Sequence, residues 1–83
     1  MKTGHDYFRE YQKKMELDSD EQIIARFNRE VKSQGSGTAR FSYLSALHHE
    51  FIRRGFDFSV VGDAKSLSFK NLVSLENKII RLL

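Results

Sequence analysis

The chain has three side chains of the type best suited to proton transfer or metal ligation near neutral pH, His5, His48 and His49. A helical metal pair needs ligands three or four residues apart, because adjacent helical residues point about 100° away from each other. His48 and His49 are adjacent. At the required spacings His48 meets Leu44, Ser45, Phe51 and Ile52, and His49 meets Ser45, Ala46, Ile52 and Arg53. None of these completes a metal site, so no metal is expected. Nucleophilic catalysis has no better support, since there is no cysteine and no serine sits in a Gly-x-Ser-x-Gly elbow. The carboxylates Asp18, Asp20 and Glu21 cluster where a helix start places acids, not as a catalytic pair. Gly35-Ser36-Gly37-Thr38 lacks the Gly-Lys-Ser/Thr of a phosphate loop and is too short for a dinucleotide fingerprint. These absences point away from an enzyme: no catalytic residue, cofactor or small-molecule substrate is assigned.

What remains is recognition. From Thr38 to Gly55 the chain reads as one amphipathic helix. Phe41, Leu44, Leu47, His48, Phe51 and Ile52 occupy one arc of about 140°. His48 falls inside this arc, as a core-edge imidazole bonded to a backbone carbonyl. Opposite the arc lie Ser42, Ser45, Ala46, His49, Glu50 and Arg53, flanked by Arg40, Tyr43 and Arg54. Small residues allow close approach to a groove wall, and Arg, Ser and His bond base edges or phosphates. The reading face for nucleic acid is therefore Arg40, Ser42, His49 and Arg53, with Lys70, Lys78 and Arg81 as further basic contacts. A second surface, Tyr7, Phe8 and Tyr11, would form an apolar patch for a protein partner or a second copy of the chain.

The elements that must position these residues follow from periodicity. Tyr7, Phe8, Tyr11 and Met15 share one side of a helix near residues 6–16, with Asp6 as cap or first-turn acid. Ser19 followed by Gln22 has capping-box spacing and opens a helix over 19–33, with Ile23, Ile24, Phe27 and Val31 as its stripe. Arg26 and Glu30, four apart, are placed to pair. Gln34-Gly35-Ser36-Gly37 is a turn, with Ser36 or Thr38 capping the third helix. That helix ends at Gly55 in a left-handed cap, with Phe56 returning to touch Phe51 in a Schellman arrangement.

Beyond Gly55, Phe56, Phe58, Val60 and Val61 alternate as a short strand or an extended packed segment, and Gly62-Asp63 marks a turn. Over the last residues a hairpin about Glu76-Asn77-Lys78 competes with a fourth helix at 68–82. The hairpin is favoured, because the helix would expose Leu67, Leu75 and Leu82. The fold class is thus α+β, three helices followed by an extended segment and a C-terminal β-hairpin, with an all-α four-helix arrangement as the alternative. Helix, turn, helix and basic hairpin is also the element order of a winged helix-turn-helix, which it resembles in architecture over residues 19–83. That resemblance implies a supporting helix at 19–33, a reading helix at 38–54 and a wing carrying Lys65, Lys70, Lys78 and Arg81.

Totals set the frame. Eighty-three residues make one domain, held without disulfides by burial of seven Phe and three Tyr. The expected core is Tyr11, Ile23, Ile24, Phe27, Val31, Phe41, Leu44, Leu47, Phe51, Ile52 and Phe56. The net charge is +3, and residues 63–83 carry four bases against two acids, which fits a polyanionic partner without requiring one. No apolar run reaches a membrane span and no signal-peptide core is present, so the expected setting is cytoplasmic with no membrane partner.

Overall fold

A computed structural model of the chain describes residues 2–33, 35 and 37–83. Its elements run α1 (Gly4–Glu16), α2 (Asp20–Val31), α3 (Thr38–Arg53), β1 (Val73–Glu76) and β2 (Ile79–Leu82). The architecture is α+β, and residues 68–82 form no helix.

Helix ends follow local chemistry. Ser19 and Gln22 form the expected capping box on α2, the Ser19 side chain accepting from Gln22 N at 3.2 Å and Ser19 N donating to Gln22 Oε1 at 2.7 Å. The first helix starts two residues earlier than its apolar spacing implies, because Thr3 is the cap and Asp6 the reciprocal partner at its third position. α3 opens on Gly37, which has no side chain to cap with; Thr38 is already helical, and Gln34 and Ser36 lie outside the described residues. Its other end is the Schellman motif: Gly55 sits at φ 70°, Phe56 N donates to Phe51 O, and Gly55 N donates to Ile52 O, both at 3.1 Å. The Phe51 and Phe56 rings then meet at 5.6 Å.

The hairpin is antiparallel with Glu76 opposite Ile79, so Asn77 and Lys78 form a two-residue loop. Both take left-handed conformations, φ 51° and 65°, as a type I′ turn requires. Asn suits this region and Lys does not, so tertiary contacts must hold Lys78 there. Its ammonium reaches Asp20 Oδ2 at 3.0 Å and lies 5.4 Å from the centre of the Phe56 ring.

An isolated two-stranded hairpin is marginal in water, so this one leans on its neighbours. Val73 and Ile80 are buried against the helices. Asp57 bridges the free edge of β2, its N donating to Lys78 O and its O accepting from Ile80 N, each at 2.8 Å. Of the short strand or extended packed segment expected over 56–61, only this one bridge is strand-like, and the chain turns over 59–61 into Gly62. A Cβ at Gly62 would stand 2.3 Å from Ser66 O, so only glycine fits.

The core centres on Phe27, which stacks between Phe51 at 5.5 Å and Phe69 at 4.7 Å. Ile23, Ile24, Leu47 and Phe56 are buried as expected, and Met15, Ala46, Val61, Val73 and Ile80 join them. Tyr11, Val31 and Leu44 are half-buried. Phe41 and Ile52 do not belong to the core: they are 73% and 50% exposed. Among the described residues no helix is long and apolar enough to cross a membrane.

One side chain splices α2 to the hairpin. Asn28 accepts from Val73 N at 2.8 Å and donates to Val73 O at 2.9 Å, standing in for a strand partner. Val73 is only 1% exposed, so removing the amide strands two buried backbone groups. Asn28→Ala is expected to lower the unfolding free energy by about 2 kcal/mol, measured by urea denaturation. A change within error would show that water replaces the amide.

Candidate functional site

α3 is the element on which every candidate surface depends, and it packs on two sides rather than one. Ser42, Ala46 and Glu50 recur every four residues and are buried along with Leu47 and Phe51. α1 lies along the small-residue side. Ser42 Oγ donates to Gly4 O at 3.0 Å, and a Cβ on Gly4 would come within 3.4 Å of Ser42 Oγ and Thr38 Cγ2. The small, polar side of α3 is therefore the seat of α1 and not an open face.

The residues assigned to nucleic acid do not converge. Ser42 is buried under α1. Arg40 turns to the end of α2, with Nη2 3.4 Å from Glu30 O and Nε 3.7 Å from the Glu30 carboxylate. Arg53 grips Glu50 through two hydrogen bonds of 2.8 Å. Lys78 holds Asp20, and Arg81 stands 3.9 Å from Glu76. His49 is exposed but carries the edge-to-face contact of Phe8, 5.9 Å between ring centres. Lys70 is exposed on the loop before β1. The expected Arg26–Glu30 pair does not form either, because Arg26 donates to Asp18 and to Tyr43 Oη, leaving Glu30 to Arg40.

The partner patch also differs from expectation. Tyr7, Phe8 and Tyr11 are each half-buried, with Phe8 against the core and Tyr11 edge-on to Tyr43 at 4.9 Å.

An ionic cluster that residue spacing did not announce sits at the far end of α3. Glu50 is wholly buried. Arg54 donates to Glu50 Oε1, Asp20 Oδ1, Met15 O and Asp18 O, each at 2.8 Å. Hydrogen bonds from Arg53, then from Arg54, hold the Glu50 carboxyl below its usual range against the opposing pull of burial. Lys78, then Arg54, do the same for Asp20. The pattern that could have flagged this cluster is Glu50 at three and four residues before two arginines on one helix.

The remaining side of α3 is the open one. Phe41, Ser45, His48 and Ile52 share it, at spacings of four, three and four residues. Beside it runs a groove of about 250 Å³, lined by Phe41, Leu44 and His48 on the helix and by Lys65, Leu67 and Phe69 on the facing loop. His48 braces this wall as expected of a core-edge imidazole, with Nε2 2.7 Å from Asp63 O and its ring 5.6 Å from Phe58. The loop is shaped by Asp63, whose Oδ1 accepts from Lys65 N and Ser66 N at 2.8 and 3.0 Å. Those donors hold its carboxyl below the usual range. No carboxylate belongs to the groove lining among the described residues.

No protein-family model matches the chain, and no curated protein or solved structure compared with it gave a match.

The cluster makes stability depend on pH with a definite sign. Glu50 and Asp20 bind protons less readily when folded, so the unfolded state takes up more protons as pH falls. Their contribution is complete above about pH 4.5 and is lost as pH drops through the lowered folded values. Urea midpoints should fall steadily from about pH 5 to about pH 3. In Glu50→Gln the slope over that window should flatten, even though the variant starts lower. An unaltered slope would place the titration elsewhere.

Proposed function

We propose that this protein is a small non-enzymatic binding module that docks a protein partner along the open side of α3. The observation that carries this reading is the outward placement of Phe41 and Ile52, 73% and 50% exposed, on one helix face beside an apolar groove. An exposed apolar strip beside a concavity is what interaction surfaces present. The heptad-like spacing of Phe41, Ser45, His48 and Ile52 suits a second helix laid alongside.

Charge selects the occupant. The groove lining carries Lys65 and His48 and no carboxylate. Among the described residues Lys65 is the one formal charge in that lining, so an amphipathic helix with apolar anchors and acidic flanks complements the site. The winged-helix-like reading draws less support, because the face of α3 that would enter a groove is the one α1 occupies.

The test uses two matched amphipathic helical peptides with identical leucine anchors, one flanked by glutamates and one by lysines. The acidic peptide should bind more tightly and shift the amide resonances of Phe41, Leu44 and Leu67. Phe41→Ala should weaken it about tenfold or more. Phe41 is too exposed for that change to threaten the fold. Equal binding of both peptides, or shifts confined to other surfaces, would overturn the reading. Concentration-dependent self-association abolished by Phe41→Ala would replace it with a homodimer.

A further inference from the structure

All three tyrosines of the chain stand in one row. Tyr7 and Tyr11 stack with ring centres 6.5 Å apart and planes 18° apart, and Tyr11 meets Tyr43 at 4.9 Å. Each is half-buried. Lys2 Nζ lies 5.7 Å from the centre of the Tyr7 ring and the Arg26 guanidinium 6.0 Å from that of Tyr43, so a base stacking there displaces a cation that can move to its phosphate. The row runs on the opposite side of α3 from the apolar groove, where α1 and α2 come up beside it.

Cations line both halves of this row. Tyr7 and Tyr11 border a concavity of about 460 Å³ with Lys2, Lys13 and Lys14. Tyr11 and Tyr43 border a second, of about 490 Å³, with Arg26, Arg29 and Arg40. Tyr11 belongs to both, so the two form one strip. Three of the six cations already have carboxylate partners: Lys2 with Glu10, Arg26 with Asp18 and Arg40 with Glu30. Lys13, Lys14 and Arg29 have none among the described residues, so the strip keeps a positive surplus.

We infer that this strip binds single-stranded nucleic acid, its tyrosines stacking on unpaired bases and Lys13, Lys14 and Arg29 meeting the phosphates. Cations alone would suit any polyanion, and aromatic rings alone would suit an apolar partner. Their interleaving along an open, concave path is the combination that single strands use, because an unpaired base offers a free face to each ring. A duplex hides those faces, and its backbone would reach the lysines and arginines only. This proposal does not depend on the docking groove, since it shares no residue with it.

The chain contains no tryptophan, so fluorescence excited in the tyrosine band, beyond phenylalanine absorption, reports these three tyrosines. The experiment titrates oligo(dT) of about 12 nucleotides into the protein and follows both that fluorescence and the anisotropy of a labelled strand. Binding should quench tyrosine emission and weaken with salt, with a logarithmic slope of about −2 for three phosphates neutralised on a single strand. Arg29→Glu with Lys13→Glu, both on exposed positions, should reduce affinity at least about tenfold while circular dichroism stays unchanged. Tyr11→Phe should retain binding, since the ring still stacks. A duplex of equal length should bind more weakly and leave the emission unquenched. Equal binding of heparin or a tyrosine-phosphorylated peptide, or no quenching with the single strand, would overturn the proposal.

Discussion

The structure turns on a buried charge. Glu50 has no exposure to water, and it is tolerated there because Arg53 and Arg54 surround its carboxylate. Removing either arginine leaves the other bonded to Glu50, and removing Glu50 leaves Arg54 with Asp20. Arg54 then does more than neutralise Glu50. Its remaining donors take Met15 O from the last turn of α1, Asp18 O from the connection and Asp20 from the first turn of α2. Asp20 passes the linkage on to Lys78 in the hairpin turn. The ends of all three helices and the hairpin tip are thereby tied to one guanidinium. A geometric fork with several rigidly placed donors can do this, and a lysine ammonium cannot.

This hub explains why the small side of α3 faces inward. With its C-terminal end fastened to α1, the two helices lie side by side, and the contact must be lined by residues small enough to let the backbones approach. Ser42, Ala46 and Gly4 meet that demand. The larger apolar residues then distribute between two tasks. Leu47 and Phe51 face the aromatic core around Phe27, while Phe41 and Ile52 are carried round to the outside. An exposed apolar strip on one side of α3 and a tyrosine row on the other are both consequences of a single helix packed on two sides.

Much of the architecture was legible before any coordinate. Capping chemistry located the start of α2, and Gly55-Phe56 located the end of α3, because these depend on bonds within a few residues. The Asn77 turn was recoverable for the same reason. The candidate surfaces were not. Reading α3 as a helix with one buried arc placed Phe41 and Ile52 inside and Ser42 and Glu50 outside, and each assignment reversed. Hydropathy ranks side chains by their cost in water; it does not register that Ser is welcome inside when a carbonyl awaits it, or Glu when two arginines do.

What this sequence determined by itself was local: where helices begin and stop, where the hairpin turns, that no cysteine chemistry is available, and that aromatic burial must supply the core. Only the tertiary structure decided which side of α3 meets solvent, that Tyr43 joins Tyr7 and Tyr11 in one row, and that Glu50 is interior. The reason is physical. Caps and turns are satisfied by neighbours within a few residues, so their signals are written in short spans. The side a helix buries is set by what lies across from it, and α1 reaches α3 from more than thirty residues away, bonding Gly4 to Ser42.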